Sequence, residues 1–322
     1  MIKTKFSQDP ILKRCLRHAR SGLEIGSCLI LFTLCGCQDQ RLYTDNRVMM
    51  GTFIEVVSPD KEAAGIVFDE IKRIEKLLSK YDPKSEVSEL NARQELKVSP
   101  ETFYIIRRSV EFWQASNGAF DITVAPLMDI WGFTDKRYSL PKDGQIKAAL
   151  SLVGSDKIIL NNEDNVIKFR LPGMKIDLGG IAKGYALDCA REQLKKHNIK
   201  NCLINAGGQV YCLGDKFGRP WKVAIRSPRG NDYIGNLELK DTSVSTSGDY
   251  QQYFVIGNKR FSHIFDPRTG YPANTGIISV SVVSPDGLTA DALSTSIFVL
   301  GRKKGEELLK KFPGTTADIS ED

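Results

Sequence analysis

The stretch DLGGIAKGYALD, Asp177 to Asp188, constrains the fold more than any other part of the 322-residue chain. The run GMKIDL leading into it has strand character and the residues from Ile181 onward have helical character, so Gly179 and Gly180 mark a strand turning directly into a helix. Such a turn aims the unpaired N–H groups of the helix start into the space beyond the strand. An exposed anion there is favoured by about 0.3–1 kcal/mol. Lys183, in the same first turn, opposes the helix dipole by itself and makes sense if a polyanion, above all a phosphate group, sits between it and the backbone amides. A glycine connector with a solvent-facing lysine fits these residues equally well. The spacing is not a Walker motif, because Tyr185 follows Gly184, and it is not GxGxxG, so the nucleotide folds that use those motifs are not indicated.

On either side of this turn, strand and helix patterns alternate. MMGTFIEVVS reads as a strand, and DKEAAGIVFDEIKRIEKLLSKYD as an amphipathic helix with Ala63, Val67, Ile71, Ile74 and Leu78 on one face. A second helix opens at Ser99-Pro100, stacks Phe103, Ile106, Val110 and Trp113, and stops at Asn117-Gly118. KDGQIKAALSLVG reads as a third. KIILNNEDNVIKFRL reads as a hairpin through residues 162–165, with GMKIDL as a further strand. After the helix at Ile181, short strands alternate with glycine-rich turns, and a last strand, GIISVSVVS, leads into the helix TADALSTSIFVLG. The pattern predicts an α+β fold with a largely antiparallel sheet and interspersed helices, in a single unit, bilobal at most.

The N-terminus reads differently. Residues 1–24 carry six Lys or Arg against Asp9 and Glu24, and the apolar run IGSCLILFTLCG follows. That run falls short of the about 20 apolar residues needed to span a bilayer, so a cleaved export signal is expected, not an anchor helix. It ends in LCGC, with Leu34, Gly36 and Cys37 arranged as in a bacterial lipoprotein signal. Residues 1–36 are therefore read as the signal, Cys37 as the lipidated residue and 37–46 as a linker, with the main domain from 47 to 322. Without its leader the chain loses six positive and two negative charges, so the formal +6 falls to +2, and no nucleic-acid surface follows. Cys189, Cys202 and Cys212 remain, without CxxC spacing, which argues against a disulfide framework or a zinc site.

Three other segments carry candidate chemistry. In ADALST, Asp291 and Thr295 lie four residues apart and project from one helix face. A carboxylate and a hydroxyl with no His or Cys suit a hard cation that keeps phosphate oxygens in its shell, Mg²⁺ more than Zn²⁺. An acidic residue that merely stabilises a helix start, beside a packed threonine, is the stronger account of those residues alone. In SHIFDPRTGYP, His263 closes a strand before a turn, and a lone histidine is more often structural than catalytic. GAFDITVAPLMDIWGF is dense in aromatics that either stack on a planar ring or, more commonly, form core.

Together, MGT at 50–52, YDPKSEVSELN at 81–91, GAFDITVAPL…WGF at 118–133, DLGGIAKGYALD, NAGG at 205–208, HIFDPRTG and ADALST resemble the ordered signature of ApbE-type FAD:protein FMN transferases. The resemblance covers nearly the whole mature chain and implies an ApbE-like fold. It implies FAD contacts at Met50, Tyr81, Ala119, Phe120, Asp121, Asp177, Lys183 and Ile264. It also implies Mg²⁺ held by the Gly180 carbonyl with Asp291 and Thr295, and a role in transfer for His263. Lys183 would then help balance the FAD phosphates and the ion. The implied reaction moves FMN from FAD to a Thr or Ser hydroxyl of an acceptor protein and releases AMP. Implied acceptors are membrane redox subunits of Na⁺-translocating quinone reductases and Rnf-type complexes, met by a monomer or homodimer lipid-anchored on the periplasmic side of a bacterial inner membrane. Two alternatives stay open: an FAD pyrophosphatase, and a flavin-binding lipoprotein without catalysis. Three departures stand out. Gln209 follows the glycine pair where Asp is usual, Cys35 is unusual in a lipobox, and the chain stops at TTADISED, about where a final strand should finish.

Overall fold

Period-two alternation of apolar residues builds one large antiparallel sheet from segments spread along the chain. A computed structural model describes residues 41–230 and 232–322; the expected signal and Cys37 lie outside the described residues. The seven strands of the sheet are β1 (Tyr43–Met49), β2 (Thr52–Ser58), β3 (Cys202–Ala206), β4 (Gln209–Leu213), β5 (Thr242–Gly248), β6 (Ile277–Ser284) and β7 (Thr316–Glu321). Each pairs with the next, so their order in the sheet follows their order in the chain. Ile54, Val56, Ile204, Ala206, Val280 and Val282 face the helices. Their neighbours Val57, Leu203, Val210, Val244 and Val283 face the opposite way, onto Trp221 and Leu239 of a separate hairpin, Trp221–Arg226 with Tyr233–Leu239.

Eight helices are seen among the described residues: α1 (Ala63–Leu78), α2 (Glu86–Arg93), α3 (Pro100–Ala115), α4 (Ala125–Ile130), α5 (Asp143–Ser151), α6 (Ala182–Lys196), α7 (Gly287–Leu300) and α8 (Arg302–Leu309). The five apolar residues expected on one face of α1 are all buried. Ser99 caps α3 by accepting from Thr102 N at 3.2 Å, and Asn117 and Gly118 follow its end at positive φ. Phe103 and Ile106 are buried as expected, but Ile105 and Phe112 take the inner positions and leave Val110 and Trp113 half-buried. α7 is buried on nearly every side and forms the central helix against β5 and β6.

Four expectations are corrected. MMGTFIEVVS is not one strand: β1 and β2 form a hairpin turning at Met50-Gly51, both at positive φ. β1 begins at Tyr43, so residues 43–46, expected as linker, are already strand. α2 occupies the stretch read only as a motif. GMKIDL joins no sheet, because side chains satisfy its backbone: Asn91 bonds both the N–H and C=O of Ile176 at 2.8 and 3.0 Å, and Gln94 donates to Met174 O at 3.1 Å. The 162–165 hairpin forms as expected, and β7 completes the sheet edge.

A second, smaller core gathers Leu127 from α4, Trp131 and Phe133 from the segment after it, Ile146 from α5, Phe254 and Phe261 from the hairpin Tyr253–Ile256 with Lys259–Ser262, and Phe265 just beyond it. Trp131 is fully buried, with Phe254, Phe261 and Phe265 ring centroids 5.5–6.4 Å away. Of the aromatics of GAFDITVAPLMDIWGF, Trp131 is core, while Phe120 and Phe133 are buried and also line a cleft between the two cores. No helix among the described residues is long and apolar enough to cross a membrane.

Candidate active site

The site begins where α6 and α7 touch. A Cβ on Gly184 would overlap the Gly287 carbonyl oxygen, and one on Gly287 would lie 2.5 Å from the Gly184 oxygen, so the crossing needs glycine on both helices. The close approach lets Gly184 N donate to Asp291 Oδ2 at 3.0 Å. Asp188, one turn further along α6, accepts from Gly287 N and Leu288 N at 2.8 and 2.9 Å and so caps α7. Burial pushes the Asp188 carboxyl up to about 6 despite those bonds. On the other side of α6, a Cβ on Gly180 would lie 3.4 Å from Thr295 Oγ1 and from the Phe120 ring. Residues 179–180 therefore meet the Asp291/Thr295 face of α7, although more than 100 positions separate them in the chain.

These groups open into a cleft of about 930 Å³ between the two cores. Each of Met50, Tyr81, Ala119, Phe120, Asp121, Asp177, Gly180, Lys183, His263, Ile264, Asp291 and Thr295 lines it. Two tight turns form part of one wall. Met50 sits at φ 50° with its N–H donated to Glu75 Oε1 at 2.7 Å, and Gly207-Gly208 joins β3 to β4 with both residues at positive φ. A Cβ on Gly207 would overlap Thr52 Oγ1, so the MGT and NAGG motifs pack turn against turn. Lys183 Nζ reaches back to Gly179 O at 3.1 Å, occupying one carbonyl of the turn. Tyr81 is mostly exposed at the rim.

Two carboxylates hold the walls in place. Asp177 accepts from Gly179 N at 2.8 Å and pairs with Lys80 Nζ at 2.8 Å. Burial works against the Lys80 charge, but the Asp177 carboxylate outweighs it and the Lys80 pKa is raised. Asp121 accepts four hydrogen bonds, from Thr123 N and Oγ1 and from Ser155 N and Oγ, at 2.6–3.0 Å. Its pKa is nevertheless raised, by burial.

His263 faces the cleft with Nδ1 3.1 Å from Gln252 O. A carbonyl only accepts, so Nδ1 carries the proton and Nε2 keeps its lone pair. Burial, reinforced by the positive charge of Lys183, lowers the His263 pKa to about 4, so the ring is neutral at pH 7.

The cation-holding groups expected here, a main-chain carbonyl, a carboxylate and a hydroxyl, are hard oxygen donors with no competing nitrogen or sulfur, a set that fits Mg²⁺. The one three-residue metal-ligating cluster found among the described residues lies elsewhere, at Glu70, Glu101 and Cys189. Arg73 bonds both of its carboxylates, and burial pushes the Cys189 thiol up to about 12, so that cluster is already neutralised. The sequence reading missed Lys80, Ser245 and Ser247. Lys80 directly precedes the YDPKSEVSELN motif but shows nothing locally of its partner 97 residues away. Ser245 Oγ meets Asp291 Oδ1 at 3.3 Å, and Ser247 Oγ meets Thr295 Oγ1 at 3.3 Å. Serines at alternate strand positions, one facing Asp291 and one facing Thr295, are a signal that only pairing β5 with α7 makes visible.

Residues 50–319 match the model of the ApbE family. An FAD:protein FMN transferase of Klebsiella pneumoniae is 35% identical over 280 residues, covering 85% of this chain and 87% of that protein. The crystal structure of the ApbE protein from Thermotoga maritima superposes with a TM-score of 0.80 at 36% identity, covering 87% of this chain and 94% of the other. The flavin transferase ApbE from Vibrio cholerae gives 0.78 at 27% identity, with 87% and 93% covered. A family match across nearly all of the described residues, together with a shared fold and a cleft lined by the signature residues, leaves one assignment: this chain belongs to the ApbE family.

Proposed function

We propose that this chain is an FAD:protein FMN transferase, using FAD as donor and a protein hydroxyl as acceptor. The observation that carries the reading is the meeting of the 179–180 turn, the Asp291/Thr295 face of α7 and His263 around one cleft. The acceptor's Thr or Ser oxygen attacks the phosphorus on the FMN side of the FAD pyrophosphate. The bond from that phosphorus to the bridging oxygen breaks, AMP leaves with that oxygen, and FMN stays on the protein as a phosphoester. Gly180 O, Asp291 and Thr295 would hold Mg²⁺, which neutralises charge on the phosphoryl oxygens. Lys183 adds positive charge at the same end of the cleft. His263 accepts the hydroxyl proton at Nε2, which its Nδ1–H···O=C bond to Gln252 leaves free. Asp177, fixed by Lys80, and Asp121, fixed by Thr123 and Ser155, shape the FAD-facing walls. The LCGC leader supports lipid attachment at Cys37 and a periplasmic domain at the inner membrane, within reach of membrane redox acceptors.

The test is direct. Protein, FAD and Mg²⁺ are incubated with an acceptor domain, denatured, and the acceptor read for covalent flavin fluorescence. Fluorescence on the acceptor with one AMP released per flavin is the expected result; AMP release without labelling would replace the transferase reading with hydrolysis. Replacing His263 by Ala should slow labelling about 10²-fold or more, and a near wild-type rate would remove its role.

A further inference from the structure

Gln209 opens β4 at the floor of the cleft, immediately after the Gly207-Gly208 turn, and is fully buried. Its amide has one allowed orientation. Nε2 donates to Ser243 Oγ at 2.9 Å and reaches Gly287 O at 3.4 Å. The Ser243 hydroxyl hydrogen is already given to Val210 O at 2.7 Å, so Ser243 can only accept from Gln209, and the Gly287 carbonyl can only accept as well. Turning the amide over would set its oxygen against two acceptors. Oε1 therefore stays on the opposite side, where no hydrogen-bond donor among the described residues reaches it.

The strand register places the Gln209 side chain on the sheet face that also carries Ser245, the serine in contact with Asp291. Gln209 pairs with Ser245 across β4 and β5, and directly opposed residues share one face of a sheet. Ser245 Oγ in turn lies 3.3 Å from Asp291 Oδ1. Buried polar atoms are almost always partnered, and this exception stands beside an all-oxygen donor set. Amide carbonyls of Asn and Gln are ordinary ligands for hard divalent cations.

We propose that Gln209 completes the cation site with a neutral amide oxygen beside Asp291, so that the protein donors carry a single negative charge and a divalent cation loads together with a dinucleotide diphosphate, not ahead of it. This rests on the transferase reading of the same cleft. Cation affinity rises with the number of charged ligands, and a site with one carboxylate leaves the remaining charge to be supplied by substrate phosphates. A carboxylate at position 209 would remove that dependence.

Mn²⁺ is the probe, its free concentration read by electron paramagnetic resonance, with the whole protein in the presence and absence of FAD. Wild-type protein should bind Mn²⁺ at least tenfold more tightly with saturating FAD than without it. Gln209→Glu should bind Mn²⁺ at least tenfold more tightly than wild type without FAD and lose most of the FAD enhancement. A folded Gln209→Glu protein whose FAD-free Mn²⁺ affinity stays within twofold of wild type overturns the proposal. If that variant does not fold, Gln209→Asn, which withdraws the oxygen by one methylene, decides. Its Mn²⁺ affinity with FAD should fall at least threefold, and an unchanged value overturns the proposal. Asp291→Asn separates this from the underlying reading: retained Mn²⁺ binding in that variant would overturn the placement of the cation itself, whatever Gln209→Glu does.

Discussion

One methyl group added at Gly184 sets two effects of opposite sign against each other. Alanine is favoured over glycine in a helix interior by about 1 kcal/mol, so propensity alone predicts a more stable protein. The new Cβ would overlap Gly287 O and stand 2.9 Å from Asp291 Cβ, where ordinary contacts run at about 3.5–4.0 Å. A carbonyl in the first turn of a buried helix cannot rotate away, so α6 and α7 must part by about 1 Å. Overpacking of that kind costs about 1–3 kcal/mol. Stretching the Gly184 N–H···Asp291 bond removes a charge-assisted hydrogen bond, about 1.5–3 kcal/mol more. The clash wins, with a net loss of about 1.5–5 kcal/mol and a fall in Tm of roughly 3–20 °C for a domain of this size. Gly65→Ala in α1 is the control, because its Cβ would meet nothing within 4 Å; the same substitution there should leave Tm unchanged or slightly raised. Thermal denaturation of both variants, with Mg²⁺ titrations of FMN transfer on Gly184→Ala, is the assay. If Gly184→Ala melts with Gly65→Ala and keeps its Mg²⁺ dependence, the close crossing does not hold Asp291 in place.

Lys80→Met leaves the Asp177 carboxylate without its buried partner, and should cost on the order of 2–3 kcal/mol in chemical denaturation and raise the KM for FAD more than it lowers kcat. Thr295→Ser should keep the Mg²⁺ dependence of transfer, while Thr295→Val, matched in shape but without the hydroxyl, should need much more Mg²⁺ for half-maximal rate. His263 and Asp188 should pull the acid limb of stability in opposite directions. The lowered pKa of His263, about 4, contributes stability that is present above its unfolded value of about 6.5 and lost as pH falls through 4, up to about 3 kcal/mol. The raised pKa of Asp188, about 6, contributes stability that is present below about 4 and lost as pH rises through 6. Denaturation at pH 7 and pH 4.5 should therefore show His263→Gln closing its gap to wild type in acid and Asp188→Asn widening its own; equal slopes for both would contradict these assignments.

Signals that act over a few residues could be read from the chain alone. The buried face of α1 follows from helical spacing, the start of α3 from Ser99-Pro100, its stop from Asn117-Gly118, and the 162–165 hairpin from its turn residues. The ordered motifs likewise named the residues that line the cleft. GMKIDL failed as a strand because its hydrogen bonds go to Asn91 and Gln94, and nothing within the segment reports that competition. The same limit hid Lys80 behind Asp177 and put Trp131 in the core while Phe120 and Phe133 face the cleft.

What the sequence determined by itself was therefore local: which stretches are helix or strand, where they turn, and which residue types are offered for chemistry. The tertiary structure alone decided which offers are combined. Gly184 and Gly287 bring two helix starts within backbone contact, β4 and β5 set Gln209 beside Ser245, and Gln252 fixes the tautomer of His263. Periodicity and capping act through neighbours in the chain, whereas a site depends on distances between residues that are neighbours only after the sheet has closed.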